Sequence, residues 1–332
     1  MAMLFLSRKD ILSFFSMRDA IEADKKAFVL HTQGKAKVPL RINLETETKA
    51  GQCMFMPAYV GGSLNMAGVK IVSCFLGNAA KGLPVIPATV ALIDGDTGLV
   101  TAIIEGTTLT QLRTAGISGA ATELLSNPDS KIGALFGTGG QGPAQLEALL
   151  TVRRLEEVRI FDVLPGRAAD FIVKNKAVAE KYGARLVEAK TPKEAVTDAD
   201  VITTVTTSAT PLFSADDIKP GCHINGVGSY TPDKRELPFE LLRKADRIFV
   251  DNKEAVLAEA GDFIIPMKEG LFSSDKIAGE LGELLLGKVS GRRSKEEITV
   301  MKTVGFATLD VVAAAQIFSR AKEVGAGTII DV

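Results

Sequence analysis

Lys131-Ile132-Gly133-Ala134-Leu135-Phe136-Gly137-Thr138-Gly139-Gly140-Gln141-Gly142 opens on a short apolar run and closes on glycines in the pattern Gly137-x-Gly139-x-x-Gly142. Pro143 follows, with Leu146, Leu149 and Leu150 at helical spacing behind it. A second apolar run, Val158-Arg159-Ile160-Phe161, ends at Asp162, twenty residues past Gly142. The order strand, glycine turn, helix, strand, acid predicts a dinucleotide-binding βαβ unit. Gly137 permits the tight turn, Gly139 lets backbone approach a pyrophosphate, and Gly142 lets the helix pack close to the sheet. The helix N-terminus offers unpaired N–H groups to the phosphates, and Pro143 fits there because its missing N–H would have had no helical partner.

The acid indicates which dinucleotide. A carboxylate at Asp162 can accept hydrogen bonds from ribose hydroxyls and repels a 2′-phosphate, so NAD(H) is favoured. No basic cluster follows it in Val163-Leu164-Pro165-Gly166-Arg167. Arg159 and Arg167 leave a route by which a cation could swing toward a phosphate, so NADP(H) stays open. The loop residues Gly137, Thr138, Gly139, Gly140, Gln141 and Gly142, with Asp162 and Arg167, form the expected cofactor-binding set.

Composition bounds the rest. Lysine plus arginine (39) nearly balances aspartate plus glutamate (40), leaving no electrostatic footprint for nucleic acid. No apolar run approaches the roughly 20 residues of a membrane span, and Met1 to Arg8 lacks the pattern of a signal peptide. Cys53, Cys74 and Cys222 are few and widely spaced, which points to a reducing cytoplasm. With His31 and His223 as the only histidines, no metal-ligand spacing is present.

From the glycine loop onward the chain alternates in a βα rhythm, with strands expected at 131–136, 157–162, 185–188, 201–205, 223–227 and 247–251. This predicts an open, Rossmann-type doubly wound parallel sheet over 118–304. The N-terminal part differs. A helix is expected from Ser16 to Gly34, then shorter strands at Arg41–Glu45, Cys53–Pro57, Gly68–Phe75, Thr89–Asp94 and Val100–Glu105, with a hairpin turn at Asp94–Gly98. Together with a final helix over Gly305–Val324, residues 1–117 and 305–332 are expected to form a second, α+β domain. The nucleotide domain would be inserted into it, with the active site in the cleft.

Hydride transfer on an amino or keto acid needs a cation for the carboxylate and a group that moves protons. Arg41, Lys70 and Arg113 are the candidates, each in or beside an apolar or small-residue stretch. Lys70 lies in Met66-Ala67-Gly68-Val69-Lys70-Ile71-Val72, where burial would lower its pKa toward acid/base chemistry. Arg113 has the fork geometry for bidentate carboxylate capture. A lysine snorkelling to solvent and an arginine in an interdomain salt bridge are the alternative readings.

Gly68-Val69-Lys70, Lys81-Gly82-Leu83-Pro84, Leu112-Arg113-Thr114-Ala115, the Gly137–Gly142 loop and Gly228-x-x-x-Pro232-x-x-x-Glu236 resemble the ornithine cyclodeaminase/mu-crystallin family over nearly the whole chain. That family includes ornithine cyclodeaminase, archaeal-type alanine dehydrogenase, ketimine reductases and a thyroid-hormone-binding crystallin. The resemblance implies a homodimer built through the N-terminal domains, with Lys70 handling protons and Arg41 and Arg113 binding the substrate carboxylate. Met56 joins them on the substrate side. Thr206, Thr207 and Ser208 are implied to line the cofactor, with Thr114, Val227 and Gly228, and Val304 and Gly305 to lie by the nicotinamide.

Two positions depart from the pattern. Tyr230 stands where the cyclodeaminase and archaeal alanine dehydrogenase carry aspartate, and Val85 where several relatives have threonine. Tyrosine is a poor carboxylate substitute, so Tyr230 is either a pocket wall or a proton relay. Both changes favour an oxidoreductase acting on a small amino or imino acid, with Δ1-pyrroline-2-carboxylate first and pyruvate plus ammonia second. A cyclodeaminase that recycles NAD internally is the alternative, and a non-catalytic nucleotide-dependent binding protein the third.

Overall fold

In the computed structural model, which describes residues 2–47 and 51–331, the chain forms two units. One is Met1–Arg113 with Phe306–Val332, the other Thr114–Gly305. The first holds a sheet built from β1 (Ala2–Leu6), β2 (Ala36–Lys37), β3 (Ile42–Glu45), β4 (Gln52–Val60), β5 (Met66–Cys74), β6 (Ala88–Asp94), β7 (Val100–Glu105) and, from the other end of the chain, β16 (Thr328–Asp331). The strand order is β16-β1-β7-β6-β5-β4-β2, with β3 paired to β4. Among the described residues of this sheet, only β1 and β7 pair in parallel. The hairpin turn sits where the sequence puts it: Gly98 takes φ +71° and Asp94 accepts hydrogen bonds from Thr97. The pairing of β1 with β16 is a contact between chain ends that no local pattern signals.

Its helices are α1 (Arg8–Phe14), α2 (Met17–Thr32), the start of α3 (Gly106–Leu125), and α11 (Ala307–Val324). α2 starts where Ser16 and Asp19 cap each other, the Asp19 carboxylate accepting the Ser16 N–H at 2.8 Å. α11 packs against α2 and lies on β4, β5 and β6. Gly68 makes that approach possible, since a Cβ there would stand 3.1 Å from a Val311 methyl. Strand residues two apart share a face, so Lys70 is turned toward α11 with Gly68.

The second unit is an all-parallel sheet of β8 (Ile132–Phe136), β9 (Glu157–Phe161), β10 (Arg185–Glu188), β11 (Val201–Thr204), β12 (His223–Gly226), β13 (Arg247–Val250), β14 (Ile277–Glu280) and β15 (Thr299–Lys302). The order is β10-β9-β8-β11-β12-β15-β13-β14. Its helices are α4 (Gly142–Val152), α5 (Arg167–Lys181), α6 (Pro192–Val196), α7 (Phe239–Lys244), α8 (Lys253–Glu259), α9 (Gly261–Lys268) and α10 (Leu281–Leu285). Leu135 belongs to an apolar cluster with α4 and α5, while its neighbours Ala134 and Phe136 join one on the opposite face. Two cores on one sheet make the fold doubly wound. Six strands are expected from sequence and eight are present. β14, whose run is interrupted by Gly279, and β15 are the two that the sequence does not signal.

Candidate functional site

The glycine loop takes the shape its residues demand. Gly137 adopts φ +102°, and a Cβ there would sit 2.7 Å from the Val205 carbonyl oxygen. A Cβ at Gly142 would press to 3.0 Å on the Phe171 ring of α5. Gly139 differs, for nothing lies within 4 Å of its would-be Cβ. Open space over a glycine beside the N-terminus of an eleven-residue helix is a cradle for an anion. In the same loop Gln141 Oε1 is buried without a hydrogen-bond partner among the described residues. Asp162, half-buried after β9, accepts the Thr138 N–H at 3.1 Å and the Thr138 hydroxyl at 2.5 Å on Oδ2, and the Leu164 N–H at 3.0 Å on Oδ1. These groups fit a dinucleotide: N–H donors and free volume for phosphates, a carboxylate for a ribose.

Arg159 does not swing toward a phosphate. Its Nε donates to Glu157 at 2.6 Å and its Nη1 to the carbonyls of Glu194 and Thr197. Arg167 stands exposed as the first residue of α5.

The loops after β11, β12 and β15 are held by buried carboxylates, of which only Glu236 belongs to a motif of the sequence. Glu236 accepts hydrogen bonds from Thr206 N–H (2.6 Å), the Thr206 hydroxyl (2.8 Å), the Gly228 N–H (2.6 Å) and the Thr204 hydroxyl (3.0 Å). The Thr206 side chain thus shapes its loop, and Ser208 likewise turns its hydroxyl to the Thr210 carbonyl. Thr207 is exposed, and Val227 is buried with its N–H on the Thr204 carbonyl. A Cβ at Gly228 would overlap the Thr206 backbone at 2.2 Å. Asp262 accepts the Glu236 and Leu237 N–H groups, and its other oxygen lies 3.0 Å from Lys302 Nζ, both side chains fully buried. Asp251 accepts the Thr303 hydroxyl and the N–H groups of Val304 and Gly305. The signal for Glu236 was present in its motif; for Asp251, Asp262 and Lys302 there was none beyond charge next to apolar runs. The half-buried Tyr230 ring packs on the apolar core of this unit.

In the first unit Lys70 is only 1% exposed, which excludes a snorkelling side chain. Its Nζ donates to both Asp310 oxygens, at 2.9 and 2.8 Å, and Arg113 Nε donates to Asp310 Oδ1 at 2.8 Å. Arg113 therefore turns its Nε edge to Asp310, and its partner lies within the same unit. Burial, with Arg113 adding to it, lowers the Lys70 pKa to about 7 against the opposing pull of Asp310. The Asp310 carboxyl is held below the usual range by Arg113 and Lys70, which together outweigh burial. Met56 pairs with Lys70 across β4 and β5 and is buried. Arg41 is half-buried just before β3, and its charge reaches Lys70. Thr114 is half-buried one residue past Arg113, at the boundary between units. Asp310 is the member sequence analysis missed, because it lies in an apolar helix 240 positions from Lys70.

The model of the ornithine cyclodeaminase/mu-crystallin family matches residues 1–325. A Δ1-pyrroline-2-carboxylate reductase of Bacillus cereus is 36% identical over 99% of this chain and 100% of its own length. An alanine dehydrogenase of Archaeoglobus fulgidus is 33% identical over 99% of this chain and 98% of its own. Among solved structures, the Thermococcus litoralis Δ1-pyrroline-2-carboxylate reductase in complex with NADH and L-proline superposes with a TM-score of 0.93 at 39% identity, covering 99% of this chain and 100% of that one.

Proposed function

This chain belongs to the ornithine cyclodeaminase/mu-crystallin family, and on that premise we propose that it is an NAD(H)-dependent oxidoreductase that reduces a small cyclic imino acid, Δ1-pyrroline-2-carboxylate, to the amino acid. The observation that carries the substrate class is the buried trio Lys70–Asp310–Arg113. Two cations against one carboxylate leave a surplus positive charge, and an anionic carboxylate is its complement.

Bound NADH supplies the hydride. The chain supplies charge, orientation and the proton. The Nη edge of Arg113, with Arg41, holds the substrate carboxylate. Lys70 Nζ, with its pKa near neutrality, carries the proton that the imine nitrogen needs. Asp310 keeps that amine aimed and partly protonated. Met56 gives the site an apolar surface suited to an unsubstituted ring. Tyr230 stands at the place where a cyclodeaminase has aspartate. That replacement is why reduction of a preformed imine is favoured over ornithine cyclisation.

The same reading makes the protein a cytoplasmic homodimer. Ile42, Phe55 and Ile71 are cross-strand neighbours on the face of the first sheet opposite Lys70, and Ile42 and Ile71 are exposed, a surface suited to a second copy.

The test is loss of NADH absorbance with Δ1-pyrroline-2-carboxylate and with pyruvate plus ammonia, while ornithine is assayed for ammonia release. Net NADH oxidation with the cyclic imino acid is expected. Conversion of ornithine to proline with catalytic NAD and no net redox change would overturn the proposal.

A further inference from the structure

The Asp162 carboxylate is already largely committed to its own chain. A carboxylate offers about four acceptor positions. The Thr138 N–H and hydroxyl occupy both on Oδ2, and the Leu164 N–H takes one on Oδ1. One position, on Oδ1, remains for a ligand, so Asp162 cannot accept two ribose hydroxyls while these bonds stand. The 2.5 Å Thr138 hydroxyl contact is the shortest of the three, as charge-assisted O–H···O bonds are. Arg159 does not offset the charge, since it is bound to Glu157 and to two carbonyls.

We propose that Thr138 is a specificity-determining positioning residue, whose hydroxyl pins the Asp162 carboxylate so that its charge cannot rotate away from a 2′-phosphate. Discrimination between the two dinucleotides is then a property of the Thr138–Asp162 pair. Gly139 beside it supplies the open space, and Asp162, held by Thr138, supplies the fixed charge. The inference rests on the reading that this chain binds NAD(H).

Thr138→Val keeps the shape and removes the hydroxyl, while Thr138→Ser restores the hydroxyl. Calorimetric titration of each full-length protein with NADH and NADPH, alongside Asp162→Ala and thermal melts, separates the possibilities. A lost bond to a charged group corresponds to roughly ten- to hundredfold in an equilibrium constant. Thr138→Val is expected to reduce the NADH-over-NADPH preference at least about fivefold, mostly through tighter NADPH binding, with Thr138→Ser within about twofold of wild type. If Thr138→Val fails to melt like wild type, Thr138→Ala reads the same ratio. A preference retained in both hydroxyl-free variants, while Asp162→Ala loses it, overturns the role of Thr138. Wild-type protein that binds no NADH overturns the functional reading as well, and is a distinguishable result.

Discussion

Lys70 Nζ lies 2.8 Å from Oδ2 and 2.9 Å from Oδ1 of Asp310, a bidentate contact between two fully buried side chains. Gly68 lets α11 come close enough to make it, and Arg113 shares the same carboxylate. With Lys70 in its proposed role as proton donor, the pair should set the working pH. Lys70 must be protonated to donate, so kcat/KM for imine reduction should fall as pH rises through about 7. Asp310→Asn removes the charge that supports the ammonium, so this limb should move to lower pH. It also leaves two buried cations short of their anion, at a cost of about 3–5 kcal/mol in unfolding free energy. Lys70→Met should lower turnover by roughly 10²–10⁴-fold with NADH binding unchanged. A pH limb that stays put in Asp310→Asn would show that the titrating group lies elsewhere.

Gly137 and Gly139 should respond to alanine in opposite ways. Gly137 sits at φ +102° with the Val205 backbone 2.7 Å from a new Cβ, so Gly137→Ala should destabilise the fold by more than about 2 kcal/mol. Gly139 meets nothing within 4 Å, so Gly139→Ala should melt within about 1 kcal/mol of wild type yet bind NADH more weakly, its methyl filling the cradle. Paired thermal melts and NADH titrations check both. An alanine at Gly139 that leaves NADH affinity unchanged would mean the pyrophosphate lies elsewhere.

The glycine loop was legible because each of its residues is a local requirement: a positive φ, a close helix, an exposed rim. Six of the eight strands of the doubly wound sheet were legible as short apolar runs. Asp310 was not, because its meaning depends on Lys70 and Arg113 being brought to it by packing, and an acid inside an apolar helix carries no label of its partner. Lys302 failed the reading for the same reason, its charge matched by Asp262 from a distant helix. The role expected for Thr206 was set by position after a strand, whereas its hydroxyl is bound to Glu236.

Lys302 and Asp262 anchor the segment that carries Glu236, and Glu236 gathers the loops after β11 and β12. Lys302→Met removes one partner of a buried pair and should cost about 3–5 kcal/mol in stability. The double variant Lys302→Met with Asp262→Asn should recover part of that loss by removing the uncompensated charge. Denaturant unfolding of the single and double variants measures this coupling. Purely additive effects would show that the ion pair contributes nothing of its own.

Asp24 is fully buried on α2, and neither carboxylate oxygen has a hydrogen-bond partner among the described residues. Burial pushes its carboxyl well above the ordinary range against the pull of Arg113, and the nearby Asp310 charge pushes the same way. In the unfolded chain the group ionises near pH 4; in the folded chain it keeps its proton to higher pH. Between those limits the folded state binds the extra proton, so this residue makes stability fall as pH rises. Asp24→Asn has nearly the same shape and cannot titrate. Its stability relative to wild type should therefore improve from about pH 5 to about pH 8, read by urea unfolding at both. A neutral Asp24 also leaves the surplus positive charge of Lys70, Arg113 and Asp310 intact, so the KM for the imino acid should barely change in Asp24→Asn. If the variant instead loses stability relative to wild type on going to pH 8 and binds substrate more tightly, Asp24 is an ionised partner of Arg113 and the charge balance assigned to the site is wrong.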